Sequence, residues 1–157
     1  MTISTTLKDY LDQHRIVFEL IPHPYAGSSM ETAEQAHVPG HQLAKAVIIK
    51  EDNKYSMVII PSVEHVDLNV LRQHFGHNVE LATENELGKL FSDCAVGAIP
   101  PVGAAWEMDT YLDESLLEDH DVYFEAGDHE DLVRISGEQF RQLLGNKVTC
   151  GDYCRSG

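Results

Sequence analysis

Chemistry could be done at four places in this chain, separated widely in sequence. Lys45 opens the apolar run Lys45-Ala46-Val47-Ile48-Ile49, and an ammonium held at the rim of a buried strand can bind a phosphate or a developing negative charge. Pattern alone reads Lys45 first as an exposed strand-end lysine. Gly97-Ala98-Ile99-Pro100-Pro101-Val102-Gly103 sets a residue without a side chain, over which backbone N–H groups can approach a ligand, beside prolines that stiffen the chain. By itself it is a tight structural turn. His129, in Gly127-Asp128-His129 between two strand-like runs, is the residue type that donates to a carbonyl or positions water; in isolation it reads as a solvated loop histidine. His23-Pro24 precedes Ser28-Ser29-Met30-Glu31. Those serines read first as helix caps, and helix N-termini also receive anionic groups.

Nine histidines raise a metal hypothesis. His37-x-x-x-His41 and His74-x-x-His77 have ligand spacing, but Pro39-Gly40 interrupts the first and neither has an obvious third ligand. No metal and no cofactor is expected. Cys94, Cys150 and Cys154 make an odd number, which fits neither a secreted disulfide framework nor a four-ligand zinc site, so reduced thiols are expected. A G-x-S-x-G elbow, a phosphate-binding glycine loop and a dinucleotide fingerprint are all missing, which argues against covalent serine chemistry and nucleotide cofactors.

The elements that must position these residues follow from period and punctuation. Leu7, Tyr10 and Leu11 after Ser4-Thr5-Thr6 predict a short amphipathic helix, then Val17–Ile21 a strand stopped by Pro22 and Pro24. The S-x-x-E box at Ser28 predicts a helix from Glu31 to about His37. Ala44–Lys50 and Tyr55–Ile60 are β-branched runs around a polar turn, a hairpin, and Val47, Ile48 and Ile49 in succession predict a strand covered on both faces. Asp67 caps a helix to about Phe75, Val79–Ala82 is a short strand, and Thr83-x-x-Glu86 caps a helix to about Phe91. Two more strand pairs are expected, Ala95–Ile99 with Ala105–Tyr111 and Val122–Phe124 with Leu132–Ile135. Ser136-x-x-Gln139 caps a last helix through Leu144 with Gly145 at its end. Residues 146–157 read as a frayed polar tail. Strands clustered by hairpins rather than alternating with long helices give an α+β class, a curved mixed, largely antiparallel sheet surrounded by helices.

The chain has 157 residues, read as a single domain able to bury roughly two-thirds of its unfolded surface. No apolar run approaches the roughly 18 to 20 residues of a bilayer span, so a cytoplasmic protein with no membrane partner is expected. The formal net charge is −15, and Leu90 to Val133 holds no Lys or Arg. Such a field repels phosphate, so any nucleic-acid contact should be local and weak.

Taken in order, His23-Pro24, Ser29-Met30-Glu31-Thr32-Ala33-Glu34-Gln35-Ala36, Leu43-Ala44-Lys45-Ala46-Val47-Ile48-Ile49-Lys50, a second apolar strand ending in Pro61, Val96-Gly97-Ala98-Ile99-Pro100-Pro101-Val102-Gly103 and Ala126-Gly127-Asp128-His129 resemble the YbaK/prolyl-tRNA editing family. The strand-start lysine and the G-x-x-x-P element, here Gly97 to Pro101, are the most specific marks. The resemblance implies a cleft between the lysine strand and that glycine loop, and hydrolysis, without a metal, of the ester of a mischarged tRNA of the Ala-, Cys- or Ser-tRNA class. It implies that Lys45 holds the tRNA 3′ end and that Gly97 makes room for and hydrogen-bonds the aminoacyl group. His129 falls where some members carry a functional histidine, and His23, Ser29, Ala98, Ile99 and Pro101 become substrate-binding candidates. The implied partners are the tRNA acceptor end and an aminoacyl-tRNA synthetase. From a different class, a non-catalytic module could use the same cleft for an amino-acid-like ligand or a protein partner, with the acidic stretch Glu107 to Asp131 as its contact surface. Hydrolysis of another acyl ester is a third reading.

Overall fold

The structure, a computed structural model, describes residues 3–24, 29–76, 78–95, 97–118 and 121–156, and of residues 29, 30 and 156 the backbone alone. Ser28, His77 and Val96, which figure in the sequence reading, lie outside the described residues.

Local signals built the helices as expected. The Ser4 hydroxyl accepts from Leu7 N–H and starts α1 (Thr5–Gln13), which buries Leu7 and Leu11. Asp67 caps α3 (Leu68–Phe75), and full capping boxes open α4 (Glu84–Leu90, from Thr83 and Glu86) and α5 (Gly137–Leu144, from Ser136 and Gln139). The remaining helix, α2, spans Ser29–Gln35. Each cap satisfies amide groups that a helix N-terminus leaves unpaired, a contribution of roughly 1 kcal/mol apiece.

The strands are β1 (Glu19–Pro22), β2 (Leu43–Glu51), β3 (Lys54–Pro61), β4 (Glu64–Val66), β5 (Val79–Leu81), β6 (Asp109–Asp113), β7 (Asp121–Glu125), β8 (Asp131–Ser136), β9 (Val148–Gly151) and β10 (Cys154–Ser156). The main sheet runs β1-β8-β7-β2-β3-β6-β9, with β5 added beside the far end of β2. Pairing is antiparallel at β1–β8, β7–β8, β2–β3 and β2–β5, and parallel at β2–β7, β3–β6 and β6–β9. A mixed sheet flanked by helices, the expected class, is the architecture.

Strand β2 is covered on both faces, as its apolar succession requires. Ala44 and Ile48 join Leu7, Leu11, Phe124 and Phe140 in the main core, while Ile49 joins Val58, Ile60, Leu71 and Tyr153 on the opposite face. A third, smaller cluster of Ala33, Val38, Leu43 and Leu132 seats α2 against the sheet.

Two expectations fail. The expected strand pair Ala95–Ile99 with Ala105–Tyr111 does not form: the described residues of 95–99 make no strand, Gly97 has φ +83°, and Ala98 N–H bonds back to the Ala95 carbonyl at 3.1 Å. A 3-10 turn over Gly103–Trp106 follows, and β6 starts at Asp109 to run parallel with β3. The expected frayed tail is also ordered over its described residues, 146–156. It adds β9 to the sheet edge and pairs β10 antiparallel with β4. One aromatic outweighs its polar neighbours here: Tyr153 is buried, its N–H donates to Asp113 Oδ1 at 2.9 Å, and its carbonyl accepts from Asp67 N–H at 2.8 Å.

Truncating Tyr153 to Ala should therefore cost about 3 to 5 kcal/mol, as for a buried aromatic. Urea unfolding of Tyr153→Ala checks this, and a loss within about 0.5 kcal/mol, the range of surface positions, would return the segment to a tail.

Candidate active site

The site is built around the last residue of β7. Val122 and Phe124 face the main core, so strand alternation turns Tyr123 and Glu125 to the other face, where α2 closes over the sheet. Glu125 is consequently 5% exposed. Its Oε1 lies 3.6 Å from His23 Nε2 and 3.8 Å from His129 Nδ1, within ion-pair range and longer than a direct hydrogen bond.

Each histidine is held by backbone. His23 follows β1, and its N–H donates to the Glu130 carbonyl at 2.8 Å. Its Nδ1 lies 2.7 Å from the Pro24 carbonyl, which can accept and never donate, so Nδ1 carries the proton. His129 sits at φ +62° in the β7–β8 connection. The Asp128 carboxylate makes that conformation possible, accepting from the Glu130 and Asp131 N–H groups at 2.9 Å each. Gly127, at φ +104°, lies so close to Ser4 that a Cβ there would be 2.8 Å from the Ser4 Cβ.

Burial pushes the Glu125 carboxyl up to about 7, while the Thr32 hydroxyl on α2 pulls it down and the Asp128 and Asp131 charges add to the rise. The Thr32 hydroxyl is near but not aligned: Thr32 Oγ1, both Glu125 oxygens, His23 Nε2 and Asp128 Oδ2 are buried without a hydrogen-bond partner among the described residues. Burial works against the Asp128 charge too, but the Asp131 hydrogen bond and the amide donors outweigh it and hold its carboxyl below the usual range. Asp131 is raised to about 6, first by its hydrogen bond with Asp128 and then by burial.

The glycine segment reaches the same place. Ala95 N–H donates to the Gly127 carbonyl at 2.7 Å, which draws Gly97 over the His129 ring. A Cβ on Gly97 would stand 3.0 Å from His129 Nε2 and 3.3 Å from Cε1. Gly97 is exposed, whereas Ala98, Ile99 and Pro101 are buried. Those three can therefore present backbone to a ligand, not side chains. The Ala98 N–H is engaged by the Ala95 carbonyl at 3.1 Å.

Lys45 stands on β2 next to Ala44, the residue paired with Phe124. Carrying the register one residue on sets Lys45 beside Glu125 on the same face. Its ammonium leans the other way, across β3, to the Ser62 carbonyl at 3.4 Å. Burial lowers the Lys45 pKa, and the Cys154 and Glu64 charges oppose that shift. Lys45 is thus a half-buried lysine rather than an exposed strand-end one, just as His129, 2% exposed, is not a solvated loop residue. The Ser29 side chain lies outside the described residues.

The structure brings together His23, Gly97 and His129, with Lys45 on the neighbouring strand. Sequence reasoning missed Glu125 and Thr32. Glu125 was absorbed into an acidic run, yet it ends a Val-Tyr-Phe stretch, a position where a strand facing cover on both sides leaves no water for a carboxylate. Among the described residues, the ligand atoms of Asp113, Asp152 and Cys154 lie within 4.8 Å of one another. The Asp113 carboxylate already accepts from Ser115 and Tyr153, and burial pushes the Cys154 thiol up to about 12.

Fold and site together define a small α+β domain with a glycine loop laid over a buried histidine–glutamate cluster beside a lysine strand. The model of the aminoacyl-tRNA editing domain matches residues 23–143, and the chain belongs to that family. No curated protein matches the chain. Among solved structures, a candidate trans-editing enzyme for prolyl tRNA synthetase aligns with TM-score 0.83 and 21% identity, covering 99% of this chain and 100% of that one. The hypothetical protein APE2540 aligns with TM-score 0.82 and 22% identity, covering 96% and 99%. A candidate signal transduction protein from Marinobacter aquaeolei VT8 aligns with TM-score 0.73 and 19% identity over 98% of this chain and 31% of its own. At these identities the likenesses concern the fold.

Two outcomes follow from the geometry. Gly97→Ala places a side chain at φ +83° against the His129 ring, so it should destabilise by more than about 1 kcal/mol in urea unfolding; an unchanged midpoint would contradict the close approach. Glu125 holds its proton more tightly folded than unfolded, since its ordinary value is 4.5 and its folded value about 7. Between those values the native state keeps a proton the unfolded chain has lost, so its contribution to stability falls as pH rises and levels off above about 7. The loss is on the order of 3 kcal/mol. Glu125→Gln should remove that fall, so the difference between wild-type and variant stabilities should grow from pH 4.5 to 7; parallel stability curves would refute it.

Proposed function

We propose that this protein is a trans-editing deacylase that hydrolyses the ester between a wrong amino acid and its tRNA, of the Ala-, Cys- or Ser-tRNA class. The observation that carries the reading is the approach of Gly97 to His129 over a buried Glu125, one strand from Lys45, within a chain of the editing family. The description of a structural relative as a candidate trans-editing enzyme for prolyl tRNA synthetase supports action on a free aminoacyl-tRNA.

In this reading the aminoacyl ester lies over Gly97, where backbone comes close because no side chain intervenes. Lys45 takes the phosphate of the terminal adenosine. Its ammonium is partly desolvated and bonded to a neutral carbonyl at 3.4 Å, so a phosphate oxygen offers it a stronger, charge-assisted partner. Water then attacks with help from a ribose hydroxyl or from the protein, and orientation rather than a covalent nucleophile supplies the acceleration. Choice among small amino acids rests on pocket volume, worth about 1 to 3 kcal/mol per methylene. The tRNA contact is confined to the acceptor end, because Glu107, Asp109, Glu114, Glu118 and Asp121 give the rest of the surface little to offer phosphate. That same charge is what favours the second reading, a non-catalytic module with an acidic contact face.

Lys45→Ala should lower the deacylation rate by about 100-fold or more, the scale of removing one group that meets developing or fixed charge in a substrate. Its stability should stay within about 1 kcal/mol of wild type, because the residue contributes charge rather than core packing. Lys45→Arg should also fail, since a planar guanidinium does not replace a point charge. Near-normal turnover by Lys45→Ala would defeat the proposal.

A further inference from the structure

His23, Thr32 and Glu125 meet with too few hydrogens among them. His23 donates Nδ1–H to the Pro24 carbonyl at 2.7 Å, so a neutral His23 offers Nε2 as an acceptor, and Glu125 Oε1, a second acceptor when ionised, lies 3.6 Å away. Of His23 Nε2, Thr32 Oγ1 and the two Glu125 oxygens, only the threonine hydroxyl then carries a hydrogen. All four atoms are buried without a hydrogen-bond partner among the described residues, and Thr32 and the His23 side chain are 0% exposed. Buried polar atoms in native proteins are nearly always satisfied. This set calls for a partner that brings several hydrogens and a positive charge.

We propose that Glu125, His23 and Thr32 form the subsite for the α-ammonium of the aminoacyl ester, so that the enzyme reads the amino group of its substrate as well as the side chain. This deepens the deacylase reading and rests on it. One nitrogen can stand at about 2.9 Å from each of two acceptors that are 3.6 Å apart. An ammonium has three donors, which matches Glu125 Oε1, His23 Nε2 and Thr32 Oγ1. In an α-amino acid the amine sits on the carbon next to the ester carbonyl, so an ester lying over Gly97 sets the ammonium on the Glu125 side of the His129 ring. Lys45, beside Glu125 on the same face of the sheet, takes the phosphate. The positive and negative ends of the substrate are thus met by opposite charges on neighbouring strands.

The groups facing Glu125 are His23 from the end of β1, the Thr32 hydroxyl from α2, and Asp128, His129 and Asp131 from the β7–β8 connection and the start of β8. Burial and the Asp128 and Asp131 charges all work against an ionised Glu125. A water molecule would bring two hydrogens and no charge, whereas a bound ammonium offsets the burial and the repulsion together. A carboxylate placed for structure alone would be expected to meet donors from its own chain, and both Glu125 oxygens lack one among the described residues.

The test uses the full chain at pH 7 and pairs each ester that it hydrolyses among alanyl-, seryl- and cysteinyl-tRNA with the tRNA ester of the matching α-hydroxy acid, in which a neutral hydroxyl replaces the ammonium. Relative to spontaneous hydrolysis, wild type should favour the amino ester by at least about 100-fold in kcat/KM. Glu125→Gln, which keeps the shape and loses the charge, should lower kcat/KM for the amino ester about 100-fold and leave the hydroxy ester within about threefold. Thr32→Val should do the same to a smaller degree, and it carries the comparison if Glu125→Gln does not fold. Equal wild-type preference for the two esters, or equal losses on both in a folded variant, would overturn the proposal. Calorimetric binding of non-hydrolysable, amide-linked adenosine 5′-phosphate probes carrying the same acyl groups separates the subsite from the deacylase reading. A wild type that deacylates no tRNA yet binds the amino probes at least about 10-fold tighter than the hydroxy probes loses the deacylase reading and keeps the subsite. One that binds both kinds alike, or neither, loses the subsite.

Discussion

Removing a carboxylate from water costs several kcal/mol unless partners replace the lost hydration, and the arrangement around Glu125 is organised by that cost. Glu125 ends a strand whose alternation leaves it no route to solvent. His23, at the end of β1, and Thr32, on α2, are brought to it by β1–β8 pairing and by the cluster of Ala33, Val38, Leu43 and Leu132. The β7–β8 connection closes the remaining side, pinned by the Asp128 carboxylate and by the Ser4 N–H, which donates to the Ala126 carbonyl at 2.8 Å. The bond from Ala95 N–H to the Gly127 carbonyl then carries the glycine segment over the histidine. Segments distant in sequence meet at one buried acid, and the stability lost there is compensated by the large cores on both faces of β2.

Electrostatics sets Lys45 apart from Lys50, Lys54 and Arg134 on the same sheet. Lys50 pairs with Glu86 at 3.0 Å, Lys54 with Asp109 at 2.6 Å, and Arg134 with Asp121 at 2.9 Å and Glu19 at 3.5 Å. These pairs are at least partly exposed and contribute little to stability. Lys45 instead makes its hydrogen bond to a neutral carbonyl while half-buried. In a chain of net charge −15, an anionic substrate must be drawn by such local contacts, since the overall field opposes it.

What could be read from sequence was local. The caps at Ser4, Asp67, Thr83 and Ser136, the β2–β3 hairpin and the covered β2 strand all depend on neighbours within a few residues, and each stands where its signal put it. The candidates His23, Gly97 and His129 were legible because glycine, proline and histidine mark special backbone or chemistry. The parallel partnerships of β6 with β3 and β9 were not, since parallel register leaves no turn between the strands to read. Nor was the place of Tyr153, because a single aromatic in a polar segment looks exposed until Asp113 is seen to accept from its N–H and the Asp67 N–H to donate to its carbonyl. Glu125 escaped for the same reason: its meaning lies in residues roughly a hundred positions away.

The central claim is that this cluster hydrolyses a mischarged tRNA, and the most direct measurement is a deacylation panel with purified protein and tRNAs carrying Ala, Ser, Cys and Pro. Hydrolysis of at least one of the small, non-prolyl esters well above its spontaneous rate is the expected result. No acceleration of any of the four would contradict the account and leave the acidic binding module as the better description.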